Sequence, residues 1–242
     1  MRVTTQAAYI LHKRAYRETS QILEVFTRDH GRISLLSKGS RASRSKTSGV
    51  LQLFQPLLIS WQGRGDLPYL SSVEMSGCKP PGLKGKSLLS AIYINELLVY
   101  LLHKNDVNEN IFDSYHAVLF ALQSSPQIEQ ELRLFERDLL QHLGFGMNLE
   151  CDADTGIVLD KNTLYAYHFE HGPVSTVTGQ SLACPVISGD SLLSFNRGVL
   201  QNSQQRTEIK MLMRYVLSHH LGGKKLKSRD LFRRSSGITH IS

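Results

Sequence analysis

The chain has 242 residues, 41% of them hydrophobic, enough for one large domain or two modest ones with real cores. No uninterrupted apolar run reaches the roughly 18 residues of a membrane span, and MRVTTQAAYILHKRAY lacks the features of a secretory leader. The formal charge of +7 is unevenly placed: residues 1–80 carry 12 Lys and Arg against 5 Asp and Glu, residues 81–205 carry 7 against 14, and residues 206–242 carry 9 against 2. Two basic ends thus flank an acidic middle, a concentration of charge that suits a polyanionic partner. The three cysteines, Cys78, Cys151 and Cys184, are odd in number and far apart. They argue against a disulfide framework and for a reducing cytoplasm.

The first 75 residues read as strands. AAYIL, QILEVFT, RISLLS, PLLISW and LPYLSSVEM are short apolar or alternating runs. Turn-prone residues separate them: Asp29-His30-Gly31, the Ser/Gly-rich loop before Phe54, and Gly63-Arg64-Gly65-Asp66. Five short strands leave exposed edges in a flat sheet, and closure into a small barrel removes them. CKPPGLKG at residues 78–85 breaks the pattern and predicts a domain junction, with one domain over 1–79 and another over 80–242.

Helical periodicity follows in SLLSAIYINELLVYLLHK and in IFDSYHAVLFALQ. After Pro126, IEQELRLFERDLLQHLG places Leu132, Phe135, Leu139 and Leu143 on one face and stops at Gly144. Residues 146–187 are irregular apart from a hairpin expected around His171-Gly172-Pro173. QQRTEIKMLMRYVLSHHLGG and the short basic KSRDLFRR complete the helices. The fold class expected is α+β and multi-domain: a five-stranded barrel, then a mainly helical domain with a small irregular or hairpin insertion.

Catalytic and metal motifs fail on spacing. Gly85-Lys86-Ser87 resembles the end of a phosphate-binding loop, but Pro80 stands where that loop needs glycine. Asp152-Ala153-Asp154-Thr155-Gly156 hints at a calcium loop, yet its glycine is one position early and Thr163 occupies the closing position. Cys151 has no CxxC partner, and His219-His220 diverge on a helix. No nucleophile or carboxylate pattern stands out, so neither an enzyme nor a cofactor is expected.

Four segments in order carry a family resemblance: ILHKRAYRETSQILEVFTRDHGRISLLSKGSRASRS with GVLQLFQPLL, then YINELL, LRLFERDLLQHLGFG and LGGKKLKSRDLF. Together they resemble the bacterial recombination-mediator family RecO over nearly the whole chain. The resemblance implies an N-terminal OB barrel and a helical domain. It implies binding to single- and double-stranded DNA, strand annealing, and partnership with RecR. It also implies contact with the acidic tail of single-strand binding protein (SSB), and indirect help in loading RecA on gaps, in a cytoplasmic, nucleoid-associated setting. Some members carry a four-cysteine zinc module after the LGFG helix. Only Cys151 stands in that region here, so no zinc is expected.

On this basis Lys38, Arg41, Arg44 and Lys46 are the first DNA-binding candidates, with Arg32 and Arg64 extending the patch. The serines and glycines among them are expected to keep the loop flexible and to offer hydroxyls and amides to phosphates. Tyr16, Trp61 and Tyr69 are candidate stacking platforms. A second basic surface is expected at Lys224, Lys225, Lys227 and Arg229, with Arg233 and Arg234 beyond. For the SSB tail, a cation beside apolar walls is required, and Arg133, Arg137 and Leu140 are the candidates. The competing reading is a generic OB-fold binder of single-stranded DNA or RNA from another pathway.

Overall fold

A computed structural model describes residues 2–43, 45, 47–176 and 183–237, with side chains described up to Phe232. The five expected strands are present: β1 (Arg2–Tyr16), β2 (Ser20–Thr27), β3 (Gly31–Ser37), β4 (Leu57–Gln62) and β5 (Tyr69–Met75). They form a closed barrel in the order β1-β2-β3-β5-β4.

Closure depends on β1, which is 15 residues long, far longer than the AAYIL run implied. Its first half pairs with β4 (Val3 with Trp61, Ala8 with Leu57) and its second half with β2 (Ile10 with Val25, Tyr16 with Ser20). Register shifts at Val3/Gln6 and Ile10/His12 bend the strand between its two partners. Thr5, at φ 52, sits in the first shift and donates its backbone N–H to Ser60 Oγ at 3.0 Å.

Ile10, Leu23, Val25, Ile33, Leu35, Leu57, Ile59 and Trp61 fill the barrel. β2 and β3 are also buried on their outer faces, which is why their runs read as nearly continuous apolar sequence. There Tyr9 and Phe26 meet Phe112 and Tyr115, with ring centroids 5.0–6.2 Å apart. Those partners lie on α2 (Glu109–Ser124), which follows α1 (Gly85–Leu101). On α1 the buried Asn95 joins the layers, donating to Leu11 O at 2.9 Å and accepting from the Tyr115 hydroxyl at 2.7 Å. A polar side chain buried there is tolerated because both of its ends are satisfied.

The remaining elements are α3 (Ile128–His142), β6 (Leu164–His168), β7 (Gly172–Thr176), β8 (Val186–Ser188), α4 (Gly189–Asn196), α5 (Ser203–His220) and α6 (Ser228–Gly237). The expected hairpin is β6–β7, and β8 adds to the other edge of β6. The sequence reading missed α4. Its signal was present: Ser188 is an N-cap whose hydroxyl accepts from the Ser191 N–H, and Asp190 sits in the first turn. The calcium-like run is a turn instead. Asp152 carboxylate oxygens accept N–H groups from Asp154, Thr155 and Ser175 at 2.8–3.0 Å.

Strands give way to helices across residues 76–84, but packing divides the chain elsewhere. One compact unit comprises residues 1–124 with 226–242, and the other comprises 125–225. The barrel therefore shares its unit with α1, α2 and the returning α6. Among the described residues, no helix is long and apolar enough to cross a membrane.

Candidate nucleic-acid interface

One rim of the barrel collects three connections. The β1–β2 turn carries Arg17, Glu18 and Thr19, the chain after β3 carries Lys38 and Arg41, and the β4–β5 connection carries Arg64. Backbone bonds tie them together. The Arg41 N–H donates to Thr19 O at 2.8 Å, and the Leu36 N–H donates to Pro68 O at 2.8 Å. The Arg41 guanidinium also reaches Arg17 O at 3.1 Å and Glu18 O at 3.4 Å.

Lys38 is exposed and holds its ammonium 4.0 Å from the centre of the Tyr69 ring. Tyr69, 43% exposed, opens β5 beside the end of β3, where it pairs with Leu36. Arg17 adopts the left-handed region at φ 54 and lies 5.4 Å over the half-buried Tyr16 ring. Arg64 is exposed at its turn. Glu18 and Asp66 share the rim, so the patch is basic without being uniformly so. Arg44 and Lys46 lie outside the described residues.

The loop after β3 is more ordered than its Ser/Gly content implied. It starts with consecutive turns, Ala42 N–H to Gly39 O at 3.2 Å and Ser45 N–H to Ala42 O at 3.0 Å. Ser37 and Ser40 are buried, and the Ser40 hydroxyl donates to Ser37 O. The expectation of a flexible, hydroxyl-rich loop is corrected at these positions: the serines satisfy the loop's own backbone. Gly39, at φ 66, makes the first turn possible.

Two other expectations are corrected by burial. Trp61 is 5% exposed, points into the barrel and meets the His30 ring edge-on at 5.1 Å, so it offers no face to a base. Arg32 is engaged inside its unit, with Nη1 2.7 Å from Glu24 and Nε donating to Leu102 O at 3.1 Å, and its side chain is 13% exposed. It fastens the barrel to the end of α1 rather than extending the patch. Arg17, by contrast, was missed by the sequence reading. Its only signal was a basic residue in a strand-connecting turn, which becomes meaningful once that turn is seen beside Arg41.

The C-terminal candidates divide between the units. Lys224 and Lys225 are exposed and close the second unit. Lys227 is exposed, while Arg229 is half-buried with its Nη2 enclosed, which leaves it poorly placed for a phosphate. Both belong to the first unit, where Glu96 on α1 receives the N–H groups of Lys227 and Ser228 and the Ser228 hydroxyl at 2.6–2.9 Å. The side chains of Arg233 and Arg234 lie outside the described residues.

In α3, Arg133 is 7% exposed and its Nη1 lies 2.9 Å from the buried Glu136. Arg137 donates to Phe195 O at 2.6 Å and Asn196 O at 3.1 Å and packs over the Phe195 ring. Leu140 is fully enclosed and offers no surface to a ligand. In this structure these three side chains build the second unit.

A closed β1-β2-β3-β5-β4 barrel with basic residues and an exposed tyrosine along its loop rim defines an OB-fold protein of the nucleic-acid-binding class. The family model "Recombination protein O N terminal" matches residues 1–78, and "Recombination protein O C terminal" matches residues 84–230. The chain is 42% identical to the DNA repair protein RecO of Nitrosococcus oceani over 242 residues, covering 100% of this chain and 98% of that protein. It is 40% identical to the RecO of Dechloromonas aromatica over 235 residues, with 96% of each chain covered. The RecO of Methylococcus capsulatus is 42% identical over 235 residues, covering 97% of this chain and 95% of that one. The chain belongs to the RecO family of DNA repair proteins.

Proposed function

We propose that this chain is a recombination mediator that binds single- and double-stranded DNA without sequence preference and anneals complementary strands. In this reading it acts with RecR on SSB-coated gaps in the bacterial cytoplasm and so assists RecA loading. The observation that supports it most directly is the rim itself. The bonds from Arg41 to the β1–β2 turn hold Arg17 and Arg41 together, and Lys38 sits beside them over exposed Tyr69.

Lys and Arg on such a rim neutralise phosphates and release counterions, and a tyrosine face accepts any base. Phosphate contacts carry no sequence information, which suits a protein that must act at any gap. The chemistry needs no turnover, and we infer that the chain works by binding alone. An acidic tail ending in a carboxylate reaches Arg133 in this reading only by displacing Glu136. Arg133→Ala then weakens binding of the tail peptide at least about tenfold, the cost of a lost charged hydrogen bond; unchanged affinity removes Arg133 from that role.

The deciding experiment is annealing of complementary oligonucleotides, bare and then SSB-coated, across a salt series and in the presence of magnesium. Annealing of both, weakened steeply by salt and without strand cleavage, supports the proposal. Complete blockage by SSB reduces the chain to a generic OB-fold binder, and magnesium-dependent cleavage makes it an enzyme.

A further inference from the structure

Within the second unit a cavity of about 250 Å³ opens between the end of α3, the β6–β7 hairpin and α5. Its walls are aromatic. Phe145 lies 4.4 Å from the His220 ring, Phe169 meets the same imidazole edge-on at 5.0 Å, and the buried Tyr167 forms part of the floor. Phe145 is 49% exposed, an unusual position for a phenyl ring that could have packed inward. Phe169 is held from behind by the His219 ring, stacked at 4.4 Å and 19°.

The polar side of the cavity is acidic. Glu170, an exposed residue, lines it and, among the described residues, makes no hydrogen bond or ion pair, although its carboxylate acts on the nearby His220 ring. Its backbone sits in the left-handed region at φ 62, where a side chain other than glycine or asparagine carries a conformational cost. A glycine would relieve that cost, and the hairpin keeps a carboxylate there instead. No lysine or arginine is among the described residues that line the cavity. His171 at the margin is engaged by Asp154 at 2.7 Å, which adds a second carboxylate nearby. Burial, helped by His219, holds His220 below the usual imidazole value against the opposing Glu170 carboxylate, so at neutral pH it contributes an aromatic face rather than a charge.

Aromatic walls and one unpaired carboxylate fit a planar cation. A phosphate-bearing ligand meets the Glu170 carboxylate and no lysine or arginine here. A lysine ammonium fits the charge but leaves the flat walls unused. The geometry points to a binding site for an arginine side chain presented by a basic segment of a protein partner, its guanidinium against Phe145 and Phe169 and its N–H groups on the Glu170 carboxylate. Cation–π contact and a charge-assisted hydrogen-bond pair would act together at that spot. This site belongs to the second unit, whereas the basic rim belongs to the first, and it gives the acidic middle of the chain a role of its own.

The test uses the full-length protein and the peptide acetyl-Gly-Arg-Gly-amide, with lysine and citrulline counterparts and dAMP as comparators. Binding is followed through the NMR signals of the Met147 methyl and the Phe145 and Phe169 rings, which line the cavity. The arginine peptide is expected to shift them saturably. Citrulline, which keeps the shape and loses the charge, is expected to bind about tenfold more weakly. Glu170→Gln preserves the backbone and is expected to weaken the arginine peptide by a similar factor. Phe145→Ala, at a half-exposed position, tests the ring without hollowing the core. The absence of saturable shifts at millimolar peptide, equal affinity for arginine and citrulline, insensitivity to Glu170→Gln, or stronger binding of dAMP each overturns the assignment.

Discussion

The ammonium of Lys38 stands 4.0 Å from the centre of the Tyr69 ring, joining the residue that follows β3 to the one that opens β5. These strands share a single parallel pairing, Leu36 with Tyr69, so the barrel closes where its basic loop begins. A cation on one ring face leaves the other face and the phenol edge for a ligand. The same contact fixes a charge beside a platform that can stack.

Removing the rim charges is expected to separate phosphate binding from folding. Arg17, Lys38 and Arg41 are exposed and the Arg41 N–H bond to Thr19 O survives substitution, so their joint replacement by Ala costs only the Arg41 guanidinium contacts to Arg17 O and Glu18 O and leaves the thermal midpoint within several degrees. Affinity for a single-stranded oligonucleotide is expected to fall at least tenfold, and the slope of log affinity against log salt to flatten by about 2. Fluorescence anisotropy across a salt series measures both. An unchanged slope would show that DNA does not meet this rim.

Tyr69 and Trp61 are expected to give opposite phenotypes. Tyr69→Ala removes an exposed ring and should cost about 1–3 kcal/mol of oligonucleotide binding with little change in stability. Trp61→Ala hollows the barrel core and should cost about 3–5 kcal/mol of stability. Binding and urea unfolding of the two variants, measured side by side, decide the matter. Tyr69→Ala with wild-type affinity removes it as a platform.

Glu96 is expected to hold the C-terminal helix. Its carboxylate receives three donors at the start of α6, so Glu96→Ala leaves two backbone N–H groups without their acceptor. Local stability of residues 226–237 should drop by about 1–3 kcal/mol, read as faster amide exchange confined to that segment. Exchange at the wild-type rate would mean that α1–α6 packing alone anchors the helix.

Asp152 gives the second unit an acid limit. The Ser175 N–H, assisted by those of Thr155 and Asp154, pulls its carboxyl down to about 2 against the opposing effect of burial. A folded value below the unfolded one, about 3.9, means its stabilisation is fully present above that value and is lost as pH falls toward 2. Asp152→Asn places an amide donor against donors already present. It should lower stability at neutral pH by about 1–3 kcal/mol and flatten the acid dependence between about pH 4 and pH 2. Chemical denaturation at several pH values checks it, and parallel pH profiles for the variant and the parent chain would contradict it.

Much of the architecture was legible in the chain because it rests on local periodicity. The short apolar runs QILEVFT and RISLLS, the alternation of Leu57, Ile59 and Trp61, the apolar runs of α1 and α2, and the Gly144 stop after α3 mark elements whatever they later pack against. The excess of basic residues near Lys38 and Arg41 was equally plain. Composition alone determined that the N-terminal region is cationic and that the middle is acidic.

What the tertiary structure decided is which charges are available. Arg32 and Arg41 look alike in sequence, yet one is paired with Glu24 in the barrel wall and the other stands on the rim. Arg133 and Arg137, attractive beside their leucines, are engaged by Glu136 and by the Phe195 and Asn196 carbonyls. Arg17, set by its own turn between Tyr16 and Ser20, joins Arg41 in one patch because the Arg41 N–H bonds to Thr19 O, across 22 residues of chain. Glu170 meets Phe145 and His220 only when the hairpin folds back toward α3 and α5. Periodicity reports how a residue faces its own strand or helix. Partnership between charges depends on contacts between segments distant in sequence, and those exist only after the barrel closes and the helices pack.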